Sequence, residues 1–147
     1  MLGGRFAQKL VRKIKMQFEA KYQREDQPGW KISKWEDANK LLSYLKPEGP
    51  SSACFTLENQ NYIQCAGSKT RLTVEIRIYN NVNSYEHFVI GKNKPIGKRE
   101  KIICSVGPIE VDETQVLKMK DARILIREFI ENGKISEKYN AEKINWL

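Results

Sequence analysis

His87 is the only histidine among 147 residues, so acid–base or nucleophilic chemistry near neutral pH would have to be built around it. A Cys–His nucleophile pair would need Cys54, Cys65 or Cys104 beside that ring. Strand register offers a check. If 58–61 is a hairpin loop, Leu57 faces Tyr62 and Cys54 faces Cys65. Across a turn at 67–71, Cys65 faces Thr73. Across a turn at 80–84, Tyr79 faces Tyr85, Arg77 faces His87 and Glu75 faces Val89. One sheet face then carries Cys54, Cys65, Thr73, Glu75, Arg77 and His87. That set reads as a polar binding patch, as a site with His87 as acid–base, or as the plain solvent face of an antiparallel sheet. Opposed polar and charged pairs are ordinary on such a face and contribute about 0.2–1 kcal/mol each. Alternation alone accounts for them, so the chain is expected to bind rather than to catalyse.

Other chemistries lack their patterns. Cys54, Cys65, Cys104 and His87 could supply four zinc ligands, but structural zinc sites use close ligand pairs and none occurs here. Residues 91–98 (GKNKPIGK) look like part of a phosphate-binding loop, yet the GxxxxGK[ST] spacing is missing, and Glu100 rather than a hydroxyl follows Arg99. No metal and no cofactor is expected. The same stretch offers Lys92, Lys94, Lys98, Arg99 and Lys101 as a basic hairpin connection able to meet an acidic partner.

The elements that would position these residues follow from periodicity. Phe6, Leu10, Ile14 and Phe18 recur every four residues, which predicts a basic amphipathic helix over 5–22, followed by a polar break at 23–29. Ser33 and Glu36 have capping-box spacing ahead of a helix over 34–45, ended by Pro47, Gly49 and Pro50. From 52 to 111 the period is two. Strands are predicted at 54–57, 62–66, 71–79, 85–90, 102–106 and 109–111, with a short extended piece near 114–117. Ala122, Leu125, Ile126, Phe129 and Ile130 mark a helix over 119–132, and Gly133 suits its C-cap. The tail 134–147 reads as loop, with Tyr139, Ile144 and Trp146 available to dock. This order predicts an α+β fold: one domain over 1–147, an antiparallel β-meander of about five strands, and N-terminal and C-terminal helices packed mainly on one face.

Residues 1–24 carry seven basic side chains against Glu19 alone, so most of the net charge of +8 lies in that segment. It could track nucleic-acid phosphates or lie on an anionic membrane, although no helix-turn-helix, finger or RNP-like strand accompanies it. Three widely spaced cysteines without a CxxC pair, and no secretory pattern at the start, fit reduced thiols in a cytoplasm.

The run Asn61-Tyr62-Ile63-Gln64-Cys65-Ala66-Gly67, then Leu72-Thr73-Val74-Glu75-Ile76-Arg77, then Glu86-His87-Phe88-Val89-Ile90-Gly91, resembles small bacterial immunity proteins associated with secreted polymorphic toxins. Val116-Leu117, Asp121-Ala122 and Phe129 resemble their ending. The likeness covers about residues 55–146. It implies an antiparallel α+β fold and inhibition by occlusion of a toxin's active site, and it supplies no catalytic residues. The basic N-terminal segment departs from the acidic character of many nuclease inhibitors. The expected contact residues are Glu75, Arg77, His87, Lys92, Lys94, Lys98, Arg99 and Lys101. The expected partner is a cognate toxin domain, with nucleic acid or an anionic membrane bound through residues 5–24 as the alternative.

Overall fold

The structure, a computed structural model, describes residues 18–145. Among these residues, two antiparallel sheets and two α-helices make an α+β arrangement. In chain order the elements are β1 (Ala20–Arg24), β2 (Gln27–Ile32), α1 (Trp35–Leu42), β3 (Ser52–Leu57), β4 (Tyr62–Gly67), β5 (Leu72–Asn81) and β6 (Ser84–Gly91). Then come β7 (Arg99–Cys104), β8 (Gly107–Asp112), a 3-10 turn (Glu113–Gln115), α2 (Met119–Asn132) and β9 (Asn140–Ile144). Seven strands lie in the order β2-β1-β3-β4-β5-β6-β9, while β7 and β8 pair only with each other as a separate ribbon.

The main sheet is therefore wider than expected at both edges, and it lacks the two strands of the ribbon. Residues 1–17 of the expected N-terminal helix lie outside the described residues, but Ala20–Arg24 is a strand, not the end of a helix. Ala20 and Tyr22 point into the core while Lys21 and Gln23 point out, and β1 turns back as β2 through the segment expected to be a polar break. At the other edge, residues 140–144 of the expected loop form β9 against β6, with Ile144 opposite His87. The first half of the expected extended piece at 114–117 belongs to the 3-10 turn, while Val116 is extended and Leu117 forms one bridge with Leu72. Lys34, rather than Ser33, stands at the N-cap of α1, and no side chain caps it.

One sheet face and both helices enclose the main core. Tyr22, Phe55, Ile63, Cys65, Val74, Ile76 and Ile90 from the sheet meet Ala38 and Leu42 of α1 and Leu125, Ile126 and Phe129 of α2. Burying each large side chain contributes about 1.5–3 kcal/mol. Helix α2 ends at Gly133, whose φ of 68° is the left-handed cap that glycine adopts without strain. The tail is docked on α2 by the Tyr139 hydroxyl, which donates to Asp121 Oδ1 at 2.8 Å. Burial and this carboxylate both raise the phenol's pKa.

Among the described residues, the opposite sheet face is covered at one end. There the ribbon packs Ile102 and Val111 on Val89, a second small core. Among the described residues, nothing packs over the rest of this face, which holds the polar residues described next.

Candidate functional site

Register assembles the site. Arg77 lies directly opposite His87 on β6 and opposite Tyr62 on β4, and Glu75 lies opposite Gln64. All five therefore share the face turned away from the helices. Arg77 Nε donates to His87 Nδ1 at 3.2 Å, and His87 Nε2 lies 3.1 Å from Glu75 Oε1. Because Nδ1 accepts the guanidinium N–H, the ring's own proton sits on Nε2 and is donated to the carboxylate. A cation and an anion are thus joined through one imidazole, which is itself only 4% exposed.

Arg77 is also clamped from the sides. Its guanidinium carbon lies 4.0 Å from the centre of the Tyr85 ring and 5.3 Å from that of Tyr62. Tyr79 meets Tyr85 edge to face at 5.6 Å. Partial burial works against the guanidinium charge, but a hydrogen bond with Tyr79 and the Tyr62 and Tyr85 rings outweigh it and raise the pKa. A long side chain that would otherwise sample many rotamers is held in one place with part of its surface open to solvent. The two hairpin tips beside it are linked by Tyr79 N–H donating to Asn61 Oδ1 at 2.7 Å, and Val82 at the second tip is 94% exposed.

A cavity of about 380 Å³ opens on the other side of Glu75. Strands β1, β3, β4 and β5 floor it with Gln23, Cys54, Gln64 and Glu75, and the ribbon tip walls it with Val106 and Ile109. The tip is fixed by Glu25. That carboxylate accepts from Ser51 Oγ at 3.0 Å, Ser52 Oγ at 3.3 Å and Ser105 Oγ at 2.8 Å, and from the Ser51 backbone N–H. Burial raises the Glu25 pKa, but these hydrogen bonds outweigh it and hold it below the ordinary value.

The other expected site residues are placed as follows. Glu75 and Arg77 are half-buried on the open face, whereas His87, expected on the wet side, is enclosed between them. Cys54 shares that face, but Cys65 does not. The pairs are Cys54 with Gln64 and Ala53 with Cys65, one residue away from the expected register. Cys65 is therefore fully buried against the helices, where burial pushes its thiol pKa up to about 12. Cys65 and His87 consequently point to opposite sides of the sheet and cannot converge as a nucleophile pair or as ligands of one metal. Thr73 pairs with Ala66 rather than Cys65 and is 1% exposed, with no hydrogen-bond partner for its hydroxyl. Among the described residues, no group of three or more His, Cys, Asp or Glu side chains is arranged to hold a metal ion.

The basic loop forms a second cluster. Lys92 is half-buried, and Lys94, Lys98, Arg99 and Lys101 are exposed. Lys92 is five residues from His87, which is about 16 Å along a strand. The backbone ties the loop down: Lys92 N donates to Thr114 O, Glu113 N to Lys98 O, and Gly97 N to Asp112 Oδ1, all at 2.8–3.0 Å. Sequence reading missed Tyr62, Tyr79, Tyr85, Gln64 and Glu25 as site residues. The facing of Tyr79 and Tyr85 was a signal for two of them; Tyr62 was hidden by the register slip, and Glu25 by the hairpin read as a break.

No protein-family model matches the chain, and no curated protein matches its sequence. Among the described residues, no helix is long and apolar enough to cross a membrane.

Proposed function

We propose that this chain is a non-enzymatic binding protein of the immunity type, which neutralises a cognate toxin domain in the cytoplasm by covering its active site. The observation that carries the reading is Arg77, braced by His87 and Glu75 and stacked on Tyr85 at a half-exposed, tyrosine-rich surface. Arginine and tyrosine dominate the energetically important positions of protein interfaces, and a side chain ordered before binding loses less entropy on docking. A standard interface of about 800 Å² per partner spans roughly 30 Å, enough to reach from Arg77 to the basic loop. Lys94, Lys98, Arg99 and Lys101 then form a charged rim that steers encounter with an acidic toxin surface. The resemblance in residues 55–146 supplies the toxin as the partner class.

The test is to look for a toxin domain encoded beside this chain's gene and to co-express the two. Growth is expected to be restored by the wild-type chain and not by the Arg77→Ala, Tyr85→Ala variant. Growth arrest that the wild-type chain does not relieve would refute the reading.

A further inference from the structure

The cavity beside Glu75 has a charge pattern of its own. Among the described residues, three ionisable side chains line it: Arg24, Glu25 and Glu75. Arg24 Nε lies 2.6 Å from Asp26 Oδ1, an ion pair by distance although its angle does not make a hydrogen bond. Glu25 is surrounded by four serine donors. Glu75 is held by His87 through Oε1, and the cation that completes that chain, Arg77, lies beyond the imidazole and is turned onto Tyr85. The charge least compensated at the cavity wall is therefore the Glu75 carboxylate. Around it stand the amides of Gln23 and Gln64 and the Ser52 hydroxyl, each able to accept a hydrogen bond, with Val106 and Ile109 as apolar wall.

We propose that this cavity receives an arginine side chain of the bound partner. The inference rests on the partner-binding reading above and extends it to the partner's chemistry. A planar guanidinium presents five donors in a fixed fork, which suits a carboxylate flanked by amide and hydroxyl acceptors. Its aliphatic stem would lie along the ribbon tip. At about 380 Å³ the space falls within the size range of ligand clefts. The site then pairs with its partner in two senses at once. Arg77 meets a partner acid, and Glu75, on the other side of His87, meets a partner base. Such an alternation fixes orientation and rejects surfaces of a single charge sign.

The experiment uses the full chain and needs no toxin. Capped arginine (N-acetyl-arginine amide) and its neutral isostere, capped citrulline, are titrated at low salt, and backbone amide shifts are followed by NMR. Saturable shifts at Cys54, Gln64, Glu75 and Val106 are expected for capped arginine, with capped citrulline at least tenfold weaker. Glu75→Gln keeps an acceptor for His87 but removes the charge, and it should weaken capped arginine about tenfold. The proposal falls if capped arginine gives no saturable shifts, if citrulline binds within twofold of it, or if Glu75→Gln binds it like wild type. Should Glu75→Gln not fold, the arginine-to-citrulline ratio on the wild-type chain decides alone. A negative result here with growth still protected in co-expression would remove the arginine pocket and leave partner binding standing.

Discussion

Replacing His87 by leucine removes the bridge between Arg77 and Glu75 while keeping most of the buried volume. The hydrogen bonds at 3.2 Å to Arg77 and 3.1 Å to Glu75 are lost, and each has one ionised partner. Hydrogen bonds to charged groups contribute about 1.5–3 kcal/mol each when their loss leaves a group unsatisfied. The full sum does not apply, because the Glu75 side chain is 32% exposed and water replaces part of what it loses. Leucine also recovers some apolar burial. The expected cost is about 2 kcal/mol, a fall in Tm of about 4–8 °C for a chain of this size. Urea denaturation of the full chain measures it, and the m-value should not change, since the unfolded surface is the same. His87→Gln is the control. Its amide can accept from Arg77 and donate to Glu75, so it should lose less than half as much. A His87→Leu variant within about 0.5 kcal/mol of wild type, the size of an ordinary surface substitution, would refute the bridging role. So would a His87→Gln variant as unstable as His87→Leu.

Three further outcomes follow from the packing and the titrating groups. Phe129 is fully buried between α2 and the sheet, so Phe129→Ala should cost about 3–5 kcal/mol in the same assay. Glu25 has a pKa lowered in the folded chain, so its contribution is present at neutral pH and is lost as pH falls through the folded value. Wild-type Tm should therefore fall more steeply than that of Glu25→Gln between about pH 5 and about pH 3, where carboxylates titrate. Cys65 is fully buried and its thiol pKa is raised to about 12, so iodoacetamide at mild alkaline pH should modify it only after denaturation, as read by peptide mass spectrometry.

What could be read from the sequence was what local patterns encode. Strict alternation in 72–78 and the four-residue spacing with Gly133 gave β5 and α2 close to their observed bounds. The turn after Asn80 set the β5–β6 register, so Arg77 and His87 were correctly opposed. The β3–β4 turn did not behave as a plain four-residue loop. Gln60 takes a positive φ of 75°, Leu57 N donates to Asn61 O, and Thr56 rather than Leu57 faces Tyr62. At the next turn Gly67 pairs with Leu72 instead of opening the loop, and with a side-chain period of two this second single-residue slip put Cys65 opposite Val74 in the core and Tyr62 beside Arg77. The edge strands were lost for other reasons. Pro28 and Gly29 signal a turn by composition, but an edge strand tolerates both. Residues 140–144 (NAEKI) are polar and short, and their pairing with β6 is a long-range contact that no local pattern announces. His87 was read as wet because its neighbours alternate; it is enclosed by Arg77 and Glu75 of β5 and Tyr62 of β4, two strands besides its own.

The most direct measurement is the dissociation constant between this chain and the toxin domain proposed as its partner, by isothermal titration calorimetry, for wild type and for Arg77→Ala, Tyr85→Ala. Removing two adjoining anchors should weaken binding at least about 100-fold, roughly 2.7 kcal/mol, while the circular dichroism spectrum stays that of the folded chain. A variant that remains folded and binds within threefold of wild type would contradict the assignment of this face as the contact surface.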